Sequence, residues 1–380
     1  MMQNELIYHL LDLSFKKETY KFDSQDELEL TKIIFENGLV GLLFETIDKS
    51  SFKTPKYHQM LLQAFGAFVS KDIQQQAIIK DLKSLFNTHK IKHVFLKGSH
   101  LKELYPESYM RGMGDIDVVV PLDMFDVAKK VLIKHNYKFK SATSHHHVYE
   151  TADGNFIELH QSITSSNEYE NEALLKNVWD HVYQVDGYTY KLEPAFEYVY
   201  LLTHLIRHIR TSGVGIRSLL DMKVYFEYYE SIMDLNKLNE YLITYNLKDF
   251  NDKVIRLNQI FTNQIKPQEQ DYHVIDYIMN SGIHGSGTKH DMYLTKRTHE
   301  QTRLKKSKLG FFFSEVFPSR DRIKETYTYL KKHPWLLPWA WFVRILKQVF
   351  KVKNTKKRLK SISNDTEVDG VKGVYDYLGI

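Results

Sequence analysis

The chain has 380 residues, a net charge of +5, 43% hydrophobic and 26% charged residues, and no cysteine. Such a length supports more than one packed core, and the lack of cysteine excludes disulfides and thiolate metal sites. The first residues lack a basic start, apolar core and cleavage site, and no run of about 18 apolar residues occurs, so a cytoplasmic chain without a spanning helix is expected.

The charge is unevenly placed. Residues 331–360 carry ten Lys/Arg and no Asp or Glu, which leaves residues 1–330 close to neutral. A broad duplex footprint over the body is not expected, and a long nucleic acid is set aside as a partner.

In chain order, residues 4–50 read as helices, with Leu28, Leu30, Ile33 and Ile34 at helical spacing and Gly38 and Gly41 as interruptions. Pro55 precedes a long helical pattern over 57–88, whose stripe includes Leu61, Leu62, Ile73, Ile78, Leu82 and Phe86. From 91 the pattern changes to a strand (91–96), a short helix (100–105), a polar glycine-bearing loop (106–114), a strand (116–120) and a helix (124–135). Two more strands follow at 137–140 and 146–150. Asp153-Gly154-Asn155 marks a hairpin turn into FIELH at 156–160. Further helices are predicted over 193–209, 216–229, 235–245, 249–261 and 274–281, with a mobile glycine-rich loop at 282–289. The predicted fold class is α+β. A small mixed-sheet unit (91–165) lies between helical regions (1–90 and 166–330), and a basic amphipathic segment (331–380) follows.

The informative stretch is VFLKGSHLKELYPESYMRGMGDIDVVV, residues 94–120. Strands alternate their side chains between faces, so Asp115 and Asp117 must point the same way. Two such carboxylates suit a hard divalent cation. The turn Gly98-Ser99 offers backbone N–H groups and a hydroxyl to phosphate oxygens, and Lys97 and Arg111 are candidate triphosphate clamps, the Arg fork suiting phosphate better than one ammonium. Glu158 and His160, two apart on one strand, face together. Phosphate grip and metal carboxylates together point to nucleotide chemistry.

Other polar clusters carry less. Consecutive histidines on a strand alternate faces, so His145-His146-His147 reads as a hairpin surface. His204 and His208 in HLIRH lack the Glu of a zinc protease motif, so zinc proteolysis is rejected. Arg217 and Asp221, one helical turn apart, read as a pair anchoring their helix, with Arg217 also a candidate nucleotide contact. Near the C-terminus, Phe342, Ile345, Leu346, Val349 and Phe350 form an apolar stripe among basic residues, after Trp335, Trp339 and Trp341. Two readings stand: a helix docked on its own domain, or peripheral contact of 331–360 with an anionic membrane.

The segment KGSHLKELYPESYMRGMGDIDVVV, with FIELH and HLIRHIRTSGVGIRSLLDM, resembles the uncharacterised bacterial nucleotidyltransferase family of the polymerase-β-like superfamily. The resemblance places Gly98 and Ser99 at the first-strand turn, Asp115 and Asp117 as the metal pair, and Glu158 as the third carboxylate. That last position is most often Asp in relatives, so Glu158 reaches further. The resemblance also places the HLIRH helix against the α/β unit, which makes His204 and His208 candidates for a polar face turned towards the cleft. The resemblance implies NMP transfer from an NTP to a hydroxyl acceptor with Mg²⁺ or Mn²⁺. ATP is expected on abundance alone, and a small molecule or a protein hydroxyl as acceptor. Its rivals are a nucleotide-binding module without turnover and a membrane-peripheral assembly factor.

Overall fold

The computed structural model describes residues 3–22, 27–143, 145–163, 172–283, 317, 320–323, 327, 329–349 and 365–380. Contacts divide the chain into two units, one of Met1–Gly285 with Tyr377–Ile380 and one of Ser286–Asp376.

The first unit opens with helices α1 (Gln3–Lys16), α2 (Glu27–Glu36), α3 (Val40–Leu43) and α4 (Pro55–Thr88). Pro55 starts α4 where its missing N–H would have had no helical partner. The C-terminal half of α4 buries Ile78, Ile79, Leu82 and Phe86. Leu62 and Ile73, expected in the same stripe, are instead exposed.

The chain then alternates: β1 (His93–Phe95), α5 (Gly98–Leu101), β2 (Asp115–Val119), α6 (Leu122–Lys134), β3 (Lys138–Ala142), β4 (His146–Glu150) and β5 (Phe156–His160). After the short α7 (Glu172–Leu175) come β6 (Val182–Asp186) and β7 (Thr189–Leu192). These last two strands were not expected. They form an antiparallel hairpin through Gly187, whose φ is +54°. The seven strands make one mixed sheet in the order β3-β4-β5-β2-β1-β7-β6. β2 runs parallel to β5 and antiparallel to β1, while β1 runs parallel to β7.

Alternation along β2 decides what each face becomes. Ile116 and Val118 join Phe95, Tyr149, Ile157 and Leu159 in a core covered by α4 and by Phe125, Ala128, Val131 and Leu132 of α6. Asp115 and Asp117, one position out of phase, take the other face. One register slip would exchange core and site, so burial of the apolar face fixes where the acids go.

Five further helices complete this unit: α8 (Pro194–Thr211), α9 (Ile216–Tyr229), α10 (Leu235–Thr244), α11 (Lys248–Phe261) and α12 (Glu269–Ser281). α8 packs on α9 and α10, and α11 on α9 and on the N-terminal α1, where the Tyr8 and Phe261 rings meet at 5.5 Å. α12 begins with a capping box of Gln268 and Asp271. Buried Asp271 also takes a fork from Arg256 (3.0 and 2.6 Å) and a hydrogen bond from the Tyr377 hydroxyl (2.6 Å). The last turn of the chain is thereby fastened to the first unit.

In the second unit, Leu336, Leu337 and Trp341 pack around Ile323, Leu330 and Ala340. The helix Leu337–Val349 leaves Trp339 and Phe342 57% and 52% exposed, with Trp335 just before it at 70%. That helix runs through Ile345, Leu346 and Val349 of the expected stripe, while Phe350 and most of the 282–289 loop lie outside the described residues.

Candidate functional site

β1 ends at Phe95, and the chain turns at Lys97, whose backbone sits at φ 48°, ψ −121°. A side chain in that region is strained, at roughly 1–3 kcal/mol. Gly98 follows beneath Arg111 and Met113. A Cβ there would run into Arg111 Nη1 and come within 2.9 Å of Met113 Cγ, so only glycine fits.

Across from this turn, β2 and β5 pair in parallel with Asp117 opposite Glu158 and Asp115 opposite Phe156. The three carboxylates therefore share a face, as the spacing predicts. Asp117 is buried and heavily engaged. Its Oδ1 accepts Lys97 Nζ at 2.8 Å and His160 Nε2 at 2.8 Å. Burial alone would raise its pKa, but the Lys97 and His160 charges hold it well below the usual carboxylate range. Asp115 is pushed up to about 6, by burial first and then by the Asp117 and Glu158 charges. Glu158 is held down, mainly by its contact with His160, whose Nε2 lies 3.4 Å from Glu158 Oε2.

His146, on β4, also reaches this face. It stands opposite His160 in the β4–β5 register, and its Nε2 lies 3.8 Å from Glu158 Oε1. His147 turns the other way, against Phe125 and Phe139. The three-histidine run is thus only partly a hairpin surface. The signal was available: His146 and His160 share parity once β4 and β5 are paired antiparallel.

From α8, His204 and His208 form a pair with Nε2 atoms 2.8 Å apart. Arg207 donates to His204 Nδ1 at 3.1 Å. His204 therefore carries its proton on Nε2 and donates it to His208, and both rings are neutral. Burial lowers both pKa values, His208 to about 4, and the Lys97 charge lowers both further. The Lys97 charge thus reaches the polar face of α8.

Arg111 behaves differently from the expected triphosphate clamp. Its fork closes on Asp221 (Nε–Oδ1 3.2 Å, Nη2–Oδ2 2.8 Å), which also accepts the Tyr105 hydroxyl at 2.9 Å. Asp221 is consequently engaged by Arg111 and Tyr105 rather than by Arg217, whose Nε is buried without a hydrogen-bond partner. Ser99 is also turned inward. Its N–H donates to Leu96 O, and its hydroxyl lies 3.6 Å from Met113 Sδ.

Several residues that position this site gave no sequence signal. Lys102, only 1% exposed, pairs with Asp72 and lies 3.3 Å from Gln75 Oε1. Gln75 Nε2 in turn donates to Met113 O at 3.0 Å. Buried His100 bridges Glu197 (2.8 Å) and Tyr229 (2.9 Å), tying α5 to α8 and α9. A cavity of about 350 Å³ is lined by Gln76, Lys80, Lys83, Ser99, Lys102 and Glu103 among others. It includes none of the three carboxylates.

An α+β chain whose sheet sets two aspartates and a third carboxylate beside a tight Lys-Gly-Ser turn has the layout expected of nucleotidyl transfer. The chain belongs to the uncharacterised nucleotidyltransferase family, whose model matches residues 23–263. No curated protein and no solved structure matches it.

Proposed function

We propose that this protein moves an NMP unit from an NTP to a hydroxyl acceptor, releasing pyrophosphate, at Asp115, Asp117 and Glu158. The observation that carries the reading is the register of β2 and β5, which gathers three carboxylates from two strands onto one face. The donor set suits Mg²⁺ or Mn²⁺, because oxygen ligands fit hard cations and the Asp117 and Glu158 charges, after burial, both push the Asp115 pKa up. Bound there, the metal would neutralise phosphate charge and hold the attacking and leaving oxygens in line.

The chain's own groups supply the rest. Lys97, now on Asp117, brings an ammonium to the phosphates, and the Gly98 turn lets the backbone approach them closely. Glu158, held in its ionised form, takes the proton of the acceptor hydroxyl as that oxygen attacks the α-phosphorus and pyrophosphate departs. Arg111 is assigned to positioning, since its fork is committed to Asp221. ATP, on abundance, and a small-molecule or protein hydroxyl complete the reading.

The test is incubation with α-labelled NTPs, Mg²⁺ or Mn²⁺ and cell extract, following label transfer and pyrophosphate. Asp117→Asn is expected to lower transfer by about 10³-fold or more while the protein stays folded. Full transfer by that variant would falsify the role of Asp117. NTP binding without pyrophosphate release would leave a nucleotide-binding module instead.

A second reading concerns residues 331–360. Trp335, Trp339 and Phe342 remain exposed in a segment rich in Lys and Arg, a combination that suits the surface of an anionic membrane. No helix among the described residues is long and apolar enough to cross one.

A further inference from the structure

Beside the oxygen-rich pair of aspartates, the same sheet face carries a nitrogen-rich group. One ring nitrogen of His146, one of His160 and one Glu158 oxygen all lie within 4.8 Å of one another. They come from two adjacent antiparallel strands, with His146 directly opposite His160. His146 Nε2 lies 3.8 Å from Glu158 Oε1, and His160 Nε2 lies 3.4 Å from Glu158 Oε2. Ligand atoms around a tetrahedral ion bound at about 2.0–2.1 Å are separated by roughly 3.4 Å, so small side-chain adjustments would close the set.

The surroundings prepare His146 for this. Its Nδ1 lies 3.2 Å from Thr143 Oγ1. The same oxygen accepts the His146 and His145 N–H groups at 3.2 and 3.4 Å and lies 3.3 Å from the His146 carbonyl. Thr143 thereby engages Nδ1 and leaves Nε2 as the ring nitrogen that faces Glu158. A ligating histidine usually has its other ring nitrogen fixed in this way. His160 Nε2 donates to Asp117 in the metal-free arrangement, and a cation would take that proton's place. By contrast His204 and His208 hold each other, and Arg207 occupies His204 Nδ1.

We infer that His146, Glu158 and His160 form a binding site for a borderline divalent transition ion of the zinc or cobalt kind. Two imidazoles and one carboxylate favour such ions over Mg²⁺, which prefers an all-oxygen octahedron. Three protein ligands also leave positions open, as in sites that bind a further oxygen donor. The site shares Glu158 with the proposed transfer centre but does not depend on that activity, because occupancy can be read without nucleotide.

The test is titration of the full-length, chelator-stripped protein with Co²⁺ and Zn²⁺ alone. Co²⁺ is followed by its visible d–d bands, and Zn²⁺ by equilibrium dialysis and elemental analysis. One Co²⁺ per chain is expected, resisting an excess of Mg²⁺. His146→Ala and, to keep bulk on the strand, His146→Gln should each weaken uptake by about a hundredfold or more. Asp115→Asn should still take up Co²⁺. Circular dichroism of each variant checks its fold. No uptake by wild type, unchanged uptake in the folded His146 variants, or ready displacement by Mg²⁺ overturns the site. Failure of nucleotidyl transfer with Co²⁺ binding intact would instead count against the transfer reading.

Discussion

Lys97 is the residue on which most of the local argument turns, because it is strained and charged at once. Its ammonium meets Asp117 at 2.8 Å, and its backbone occupies a region that glycine takes without cost. The two properties can be separated. Lys97→Ala and Lys97→Gly both remove the charge, but only Ala keeps a Cβ in the disfavoured conformation. Lys97→Gly should therefore be more stable than Lys97→Ala by about 1 kcal/mol. The relief of strain outweighs the extra freedom that glycine gives the unfolded chain. Urea midpoints of the two variants check this, and equal midpoints would mean that the turn relaxes at no cost. At this scale the acids were legible. Period-two alternation tells which side chains share a face before any sheet is known. The strain at Lys97 was not, since nothing local marks a lysine that must bend like a glycine. Nor was the partner of Arg111, because Asp221 lies 110 residues away.

At the scale of elements, the loop between α5 and β2 is held by buried polar groups as well as by its buried Leu104, Met110 and Met113. Arg111 and Tyr105 both close on Asp221 of α9, and Ser108 reaches Asp72 of α4 at 2.7 Å. Removing one partner strands the other in a poorly solvated place. Asp221→Ala should accordingly cost about 3 kcal/mol or more of stability. Replacing both ions with apolar residues, as in Arg111→Met with Asp221→Leu, should recover much of it. Chemical denaturation of the single and double variants measures the difference, and a double variant no better than Asp221→Ala would refute this account of the loop. Elements with a strong periodic signal, such as α4 and β2, were readable from the chain. The β6–β7 hairpin carries its own signal in Asp186-Gly187, a favourable turn pair flanked by alternating side chains. Its strands have only five and four residues, too short for period two to stand out between two helical patterns.

For the whole molecule, acid stability follows from buried neutral imidazoles. His93 Nδ1 donates to Ile91 O at 2.9 Å, and its Nε2 accepts from the Thr189 hydroxyl at 3.1 Å. Asn87 in turn donates to Thr189 at 3.4 Å, which fixes the direction of the chain. Burial, the largest cause, lowers the His93 pKa to about 4. The unfolded chain therefore binds this proton first. Stability is unaffected above about pH 6.5 and falls as pH drops from there towards 4, by on the order of 3 kcal/mol. Urea midpoints between pH 7.5 and 5 should fall less steeply in His93→Gln than in wild type; parallel slopes would rule His93 out. The membrane reading is tested at this scale too. Deleting 331–380 would also remove Tyr377, which bonds buried Asp271, so substitution is the cleaner route. Trp335→Ser with Trp339→Ser and Phe342→Ser should cut co-sedimentation with phosphatidylserine-containing vesicles at least several-fold. Unchanged binding would leave the docked reading of the segment. The uneven charge that raised this question was visible in composition, whereas the return of the chain end to Asp271 was not.

That return gives the last residues of the chain a task of their own. Tyr377 belongs to the same compact unit as the acid-bearing sheet, and its hydroxyl completes the ring of donors that Arg256 begins around buried Asp271. A trimmed chain end therefore registers first as a weaker seat for α12, before it says anything about the tryptophans upstream.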